Sequence, residues 1–391
     1  MTRRYPPLIG GAERVLSYLA EALALEGAQV TVLTSRAPGA ETLPLREDMM
    51  ISYESEEEGR LTIVRLATSR LRFLGTWLYM RNLKRWFAKH TIDLAYVSML
   101  KHDAYVAVGA GQKWGFPVVL RPEGAGATGD LAWQSWGRFG REIGRRCRQA
   151  DAFVAISREI ERELREAGYA EEKIQSLPNG VPVPATAWQR RPDWRQTPRA
   201  VFVGRLAPEK NLPTLLRAWP IVRQVHPRAR LILAGEGPER PGLEELARSL
   251  GLSLGPNQAV ELPGAVADVT SLLRDADLFV LPSIEEGMSI ALLEAMALGI
   301  PLVASSIAGN RRLVSDFKHG RLATANDSQA LARVIIEQWD NFDRAFHMSR
   351  AARGRVENEF SIRAVARRHL RLFSELTQRA SPSSAHARPD P

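Results

Sequence analysis

Apolar positions along the chain recur with two alternating periods. From Ala12 to Glu26 the residues Val15, Leu16, Leu19, Ala22 and Leu23 keep helical spacing, and Gln29 to Thr34 then reads as a strand. Short apolar runs at Leu61 to Leu66, Asp93 to Ser98, Pro117 to Leu120, Asp151 to Ile156 and Ile174 to Leu177 predict further strands, with helical stretches between them. That order implies an open, mostly parallel sheet covered by helices. Pro178-Asn179-Gly180 turns the chain, and Val181 to Pro198, rich in Pro, Arg and Trp and without clear period, suits a connection between domains. A second alternation starts with a strand over Ala200 to Val203. It continues through a helix over Leu212 to Val225, a strand over Arg230 to Ala234, and helices over Leu243 to Leu250 and Val269 to Asp275. It then reaches PSIEEGMSIALLEAMALGIPLVAS. This reads as the end of a strand (Leu278 to Leu281), a sharp turn allowed by Gly287, a helix (Ile290 to Leu298, closed by Gly299 and Pro301) and a second strand. A last helix spans Ile362 to Leu376, and Ser381 to Pro391 is expected to be a disordered tail.

Composition narrows the class. At 391 residues the chain is long enough for two domains with full cores, and its composition is that of an ordinary globular protein. No apolar stretch approaches the roughly 20 residues of a membrane span, and no secretory h-region opens the sequence, so a cytoplasmic protein is expected. Cys147 is the only cysteine, which excludes an internal disulfide and a cysteine-based zinc site. A formal net charge of +9 points to an acidic partner. Glu41 to Glu58 is an acidic, loop-like stretch. Arg60 to Lys89 carries eight Lys or Arg and no acid, interleaved with Phe73, Trp77, Tyr79, Trp86 and Phe87. Such a basic, aromatic, helix-compatible segment either covers the first sheet with its charges in water or lies on the anionic face of a membrane, making the protein peripheral. Nucleic acid is not expected, since no nucleic-acid module accompanies the charge.

The candidate chemistry sits in loops that follow strands. Glu286 and Glu294 have seven residues between them, one before a helix and one inside it. In a parallel sheet, ligands bind outside the carboxyl ends of the strands, so one carboxylate faces a bound molecule from the turn and the other from the helix. VGRLAPEKN places Arg205 and Lys210 in the loop after the first strand of the second half, where two fixed cations suit a diphosphate. Gly10 and Gly11 precede a helix and let a backbone approach a ligand. GEGPE, Gly235 to Glu239, superficially suggests a dinucleotide fingerprint, but its third glycine is misplaced. Asp275-Ala276-Asp277 lies at a junction of helix and buried strand and is read as structural. The seven His have no ligand spacing, so no metal is expected.

In their order, these motifs resemble the donor-site signature of glycosyltransferase family 4, in which Glu, seven residues and Glu are followed by Ala-Met-Ala and Gly-x-Pro. The resemblance covers nearly the whole chain and is strongest from Phe202 to Ser305. It implies an α/β GT-B fold, two Rossmann-like parallel-sheet domains facing each other across a cleft. The implied boundaries are 1–180, 181–358, a helix over 359–379 crossing back to the first domain, and a tail over 380–391. It also implies a retaining, metal-independent transferase without a cofactor. Such an enzyme moves a sugar from a nucleotide-diphosphate sugar to a hydroxyl of a glycan or lipid-linked acceptor, in polysaccharide or glycoconjugate biosynthesis. By resemblance Glu294 holds the ribose hydroxyls, Arg205 and Lys210 the diphosphate, and Glu286 with Gly287, Met288 and Ser289 the donor sugar. Gly10 and Gly11 face the diphosphate, and Gly235 lies beside the nucleotide.

Two departures accompany the resemblance. Many relatives carry a His after the strand that corresponds to Pro117 to Leu120, where this chain reads RPEGAGATGD. Glu123 falls closest to that position, and the Gly124, Gly126 and Gly129 run is suited to approach the sugar or acceptor; His102 is a neighbouring candidate. Relatives also have an apolar strand before the segment aligned with Tyr5-Pro6-Pro7, where only Met1 to Arg4 stand here. The first domain is therefore expected to lack its first strand, as it would if the true start lay upstream. Two other readings stay open: a non-catalytic GT-B subunit that binds a nucleotide sugar or a partner protein, and a nucleotide-sugar epimerase with Glu123 as its base.

Overall fold

The computed structural model describes residues 1–3, 5–6, 11–35, 54–69 and 72–380. It divides into two compact units. One holds Met1–Leu8, Leu16–Pro178 and Val365–Pro391, and the other Ile9–Val15 and Asn179–Ala364.

Among the described residues the first unit carries seven strands: β1 (Val30–Ser35), β2 (Glu54–Glu58), β3 (Leu61–Leu66), β4 (Ala95–Ser98), β5 (Val118–Arg121), β6 (Ala152–Ala155) and β7 (Ile174–Ser176). They form two sheets, β1-β3-β2 and the all-parallel β4-β5-β6-β7. The sheet is split between β1 and β4. Met1 and Thr2 occupy the gap: the Met1 amine donates to Tyr96 O (2.6 Å), Ser98 N donates to Met1 O (2.9 Å) and Thr2 N donates to Leu33 O (3.0 Å). Arg3 turns away, its guanidinium on the Tyr79 ring and 3.2 Å from Asp103. One core cluster still runs under both sheets, from Leu33 and Val64 to Val97, Leu120 and Phe153, and a smaller one of Tyr5, Ala20, Val32 and Leu61 lies beside β1 and β3. The terminal helix Ile362–Ala380 adds Leu372, Phe373 and Leu376 to that core, and its His369 meets the Tyr96 hydroxyl at 3.2 Å.

One sequence expectation is corrected here. The acidic stretch is not loop throughout, because Glu54–Glu58 pairs antiparallel with β3; its earlier part, like the tail from residue 381, lies outside the described residues. Arg60 to Lys89 divides into the strand expected over Leu61 to Leu66 and a helix. It begins as β3, whose Leu61, Val64 and Leu66 are buried, and only Arg72–Lys89 is helical. That helix buries Leu78, Tyr79, Leu83, Trp86 and Phe87 and leaves Phe73, Leu74 and Trp77 in solvent.

The second unit is one parallel sheet of β8 (Arg199–Val203), β9 (Arg230–Ala234), β10 (Val260–Gly264), β11 (Leu278–Leu281), β12 (Leu302–Ser305) and β13 (Arg321–Ala323), in the order β10-β9-β8-β11-β12-β13. The central strands are buried on both faces, which is why they read as unbroken apolar runs. The edge strands β10 and β13 escaped the sequence reading for the same reason in reverse: one holds Glu261 and Pro263, the other is three residues long and begins with Arg321. The helices Ala308–Leu313, Ser328–Asp340 and Phe342–Arg355 lie where the sequence analysis made no assignment.

Val181 to Pro198 is no free connection. Trp188 and Trp194 are buried in this unit, with the Trp188 indole N–H donating to Ala276 O at 2.8 Å. Arg191 reaches the fully buried Asp277 at 2.7 Å, and Asp277 also accepts from Arg199 N at 2.8 Å. Asp277 thus ties the Trp-rich segment to the sheet. Burial raises its carboxyl above the usual carboxylate range against the opposing pull of Arg191. Arg191→Ala is expected to cost about 3–5 kcal/mol, because it leaves a buried carboxylate without its cation. A group with a raised folded-state pKa binds protons more readily folded than unfolded. The deficit of the variant therefore shrinks as pH falls from about 7 toward about 5. Urea unfolding of both proteins across that range checks the sign.

Candidate active site

Strand order decides where a ligand can approach. From β8 the chain goes out to β9 and β10 on one side, then crosses to β11 and continues to β12 and β13 on the other. The loops after β8 and β11 therefore leave the sheet in opposite directions from adjacent strands, the place where open parallel sheets hold ligands. Both sequence motifs lie there.

Three contacts tie the loops together. Lys210 Nζ donates to Glu286 Oε1 at 2.6 Å, Ile284 N to Glu209 O at 2.9 Å, and Asn211 Nδ2 to Pro282 O at 3.3 Å. Asn211, at φ 52°, takes the left-handed conformation that turns the chain into the helix Leu212–Val225. Glu286 also accepts from Ser283 Oγ at 2.8 Å. Lys210 is thereby fixed, at 19% side-chain exposure, whereas Arg205 stands 68% exposed with Glu209 3.8 Å away. The two predicted cations are unequal: one is held on the carboxylate and the other reaches into solvent.

Ser289 caps the helix Ile290–Leu298 by accepting from Leu292 N at 3.3 Å, and Glu294 projects from that helix. Its carboxylate oxygens lie 3.0 and 2.9 Å from Arg14 Nη1. Arg14 was not singled out in the sequence, where only the glycines of GGAERV drew attention. Gly11 sits next to the start of the same helix, 4.0 Å from Ile290 measured from a Cβ position, and Gly10 lies outside the described residues. Gly287 corrects an expectation: it has no left-handed φ and a Cβ there meets nothing within 4 Å, so the turn does not require glycine. Met288 beside it is half-buried.

The GEGPE turn works through its backbone. Gly235 has φ 147°, and a Cβ on it would lie 1.8 Å from Gly204 O; one on Gly237 would lie 2.2 Å from Leu206 O. Leu206 N donates to Glu236 O (2.9 Å) and Glu239 N to Leu206 O (3.0 Å). The glycines press this turn against the loop that carries Arg205 and Lys210, which explains a glycine spacing that fits no dinucleotide fingerprint.

A second support was invisible in the sequence. Ser305 Oγ donates to Ser283 O, and the fully buried Asn310 donates through Nδ2 to Ser305 O and Oγ, both at 3.0 Å. Gly309 lies so near that a Cβ would stand 2.1 Å from Glu286 O. A Ser, Gly and Asn scattered after a strand give no periodic signal, and only packing reveals that they hold Glu286 from behind.

In the first unit, Glu123 follows β5 and accepts from Ser98 Oγ and from the buried Arg121 Nη1, while its own N–H donates to Asp130 Oδ2 at 2.7 Å. Gly129 packs on the loop itself, a Cβ there lying 2.7 Å from Gly124 O. The glycine run thus folds the loop onto itself. His102 opens the helix His102–Trp114 half-buried against Trp133, with ring centroids 5.5 Å apart. Burial, then Arg3 and Lys101, lower its pKa, so the ring is neutral at neutral pH. Among the described residues no group of three His, Cys, Asp or Glu could hold a metal ion.

Residues 9–183 match the family described as Glycosyltransferase Family 4, and residues 197–341 match Glycosyl transferases group 1. The chain is 27% identical to a glycogen synthase of Mycobacterium tuberculosis, covering 99% of this chain and 98% of that protein. It is 26% identical to a GDP-mannose-dependent monoacylated alpha-(1-6)-phosphatidylinositol monomannoside mannosyltransferase of Corynebacterium glutamicum, covering 92% and 93%. The solved structure of the Anabaena protein HepE in complex with UDP-glucose superposes with a TM-score of 0.74 at 19% identity, covering 96% of this chain and 99% of that one.

Gly309→Ala is expected to displace the Glu286 main chain and to cost about 1–3 kcal/mol, the usual range for overpacking. Gly242→Ala, within the helix Arg240–Ser249 where a Cβ meets nothing, is expected to be neutral or to stabilise by up to about 1 kcal/mol. Thermal unfolding of both variants makes the comparison.

Proposed function

The chain belongs to glycosyltransferase family 4 and has the GT-B fold, and on that premise we propose that it moves a hexose with retention from a nucleoside-diphosphate sugar to a hydroxyl of a glycan or lipid-linked acceptor. The observation that carries this reading is the Lys210–Glu286 contact at 2.6 Å between two loops at the switch point of the sheet. A diphosphate arriving there meets a fixed ammonium, with the exposed Arg205 able to close on it. Once Lys210 turns to phosphate, Glu286 is free to accept from the sugar hydroxyls while Ser283 keeps it oriented. Glu294, steadied by Arg14, is suited to a ribose diol, since each carboxylate oxygen has further lone pairs.

In the transfer, the bond from the anomeric carbon to the phosphate oxygen breaks and its electron pair stays on the diphosphate. The acceptor oxygen bonds the same face of the carbon, and its proton passes to the departing phosphate oxygen. The charge that grows on the diphosphate is met by Lys210 and Arg205, which act more strongly in the transition state than before it. No protein nucleophile takes part. A phosphatidylinositol mannoside acceptor in one relative and UDP-glucose in one structural neighbour motivate testing lipid-linked acceptors and several donors.

A second reading, a binding-only GT-B subunit, is favoured by one observation: where many relatives place a His, this chain has Glu123, already engaged by Arg121 and Ser98.

Incubation with UDP-, GDP- and ADP-sugars, following release of nucleoside diphosphate, separates the two. We expect release with at least one donor, unchanged by EDTA. Lys210→Ala and Glu286→Ala are expected to lower it by about 10²–10³-fold; wild-type rates in both variants would sink the site assignment, and no release from any donor would leave the binding-only reading. Glu294→Ala and Arg14→Ala are expected to raise the donor KM about tenfold with a smaller effect on kcat, the pattern of a residue that binds ground and transition states alike.

A further inference from the structure

Four large aromatic side chains of the first unit stand in water: Phe73 at 70% exposure, Trp77 at 56%, Trp136 at 69% and Phe139 at 66%. Phe73 and Phe139 are neighbours, Trp77 lies one helical turn after Phe73, and Trp136 stands three residues before Phe139. The Arg138 guanidinium lies 5.1 Å from the Phe73 ring and 5.2 Å from the Phe139 ring, joining the start of the helix Arg72–Lys89 to the start of the helix Gly140–Cys147. Trp133 and Trp136 pack edge to face at 6.5 Å, and Arg81 lies over Trp77 at 5.3 Å. A folded surface normally avoids collecting exposed rings in this way, and such a patch marks contact with something apolar.

Backbone geometry adds a separate observation. Phe139 has φ 62° and ψ 13°, a left-handed conformation that a bulky side chain adopts only at a cost. Glycine would hold the turn without strain, yet an aromatic ring stands there and points into solvent.

The charge around the rings identifies the partner. Arg138 lies between Phe73 and Phe139 and Arg81 over Trp77, and Arg141 and Arg145 follow Phe139 on the helix Gly140–Cys147. The one acid on the helix Gly140–Cys147, Glu142, is paired with Arg145, and the helix Arg72–Lys89 contains none. A protein partner with an apolar face requires no such excess of cations. Rings able to sit at the level of lipid headgroups, with guanidinium groups around them, match the anionic interface of a bilayer.

We propose that the surface formed by Phe73, Trp77, Trp136 and Phe139 with Arg81, Arg138 and Arg141 docks the protein reversibly on anionic membranes. The docking goes beyond the transferase reading and does not require it. It also relocates the basic segment's role: contact is made by the first turns of the helix Arg72–Lys89 and by a second, distant stretch of sequence, while Tyr79, Trp86 and Phe87 serve the core.

Cosedimentation of the full chain with vesicles tests this. Wild type is expected to sediment with vesicles of equal parts phosphatidylglycerol and phosphatidylcholine, to stay in solution with phosphatidylcholine alone, and to be released by salt. Phe139→Gly is expected to keep its fold, since it relieves the strained φ, and to lose binding about tenfold, as is Phe73→Ser/Trp77→Ser. Arg138→Glu is expected to lose the preference for phosphatidylglycerol. The proposal is overturned if wild type ignores phosphatidylglycerol, if the ring variants bind as wild type does, or if sedimentation velocity shows the rings buried in a self-dimer that Phe139→Gly dissociates. Release of nucleoside diphosphate by the same variants, free in solution, keeps the two readings apart: unchanged release with lost sedimentation supports docking alone, and absent release in every protein bears only on the transferase reading.

Discussion

The candidate site rests on the parallel pairing of β8 with β11. Because Ala200 stands opposite Leu278 and Val201 opposite Phe279, the loops that leave these strands start side by side although about 80 residues of chain separate them. The contact between the two loops follows from that adjacency. It brings Lys210 to Glu286, lets Glu209 and Asn211 bond the main chain of the opposite loop, and points both motifs out of the same end of the sheet. A parallel sheet requires long crossovers, so the intervening helices and strands are the means by which distant motifs become neighbours.

Carboxylates in this protein are repeatedly met by cations from far along the chain. Asp277 has Arg191, Glu286 has Lys210, and Glu294 has Arg14. The chemistry is the same each time, because a carboxylate withdrawn from water is tolerated only with a compensating charge or hydrogen bonds. What differs is permanence. Asp277 is enclosed and serves the fold, whereas Glu286 and Lys210 keep some access to solvent, so a ligand can exchange with either partner. The glycines around them act by closeness: Gly235, Gly237 and Gly309 each bring one backbone against another, and stiffen the loops that carry the charged groups.

Sequence periodicity revealed most of the strands and helices because buried central strands are continuous apolar runs and covering helices are amphipathic. It failed at β10 and β13, where edge positions admit Glu261, Pro263 and Arg321. It failed at β2, five residues of mostly Glu that pair only because β3 offers an open edge. It took Val181 to Pro198 for a connection, although Trp188 and Trp194 are core residues, because buried anchors in an irregular segment have no period.

The sequence by itself determined the alternation of strand and helix, the two halves, and the resemblance to a family through the motifs that carry Glu286, Glu294, Arg205 and Lys210. These are local properties, set by spacing and side-chain type along a few turns of chain. Only the tertiary structure decided that Met1 and Thr2 bridge a split sheet, that Arg14 holds Glu294, that Gly309 and Asn310 stand behind Glu286, and that Phe73 and Phe139 meet over Arg138. Each of those is a contact between residues distant in sequence. Such contacts depend on strand order and register, which no local pattern encodes.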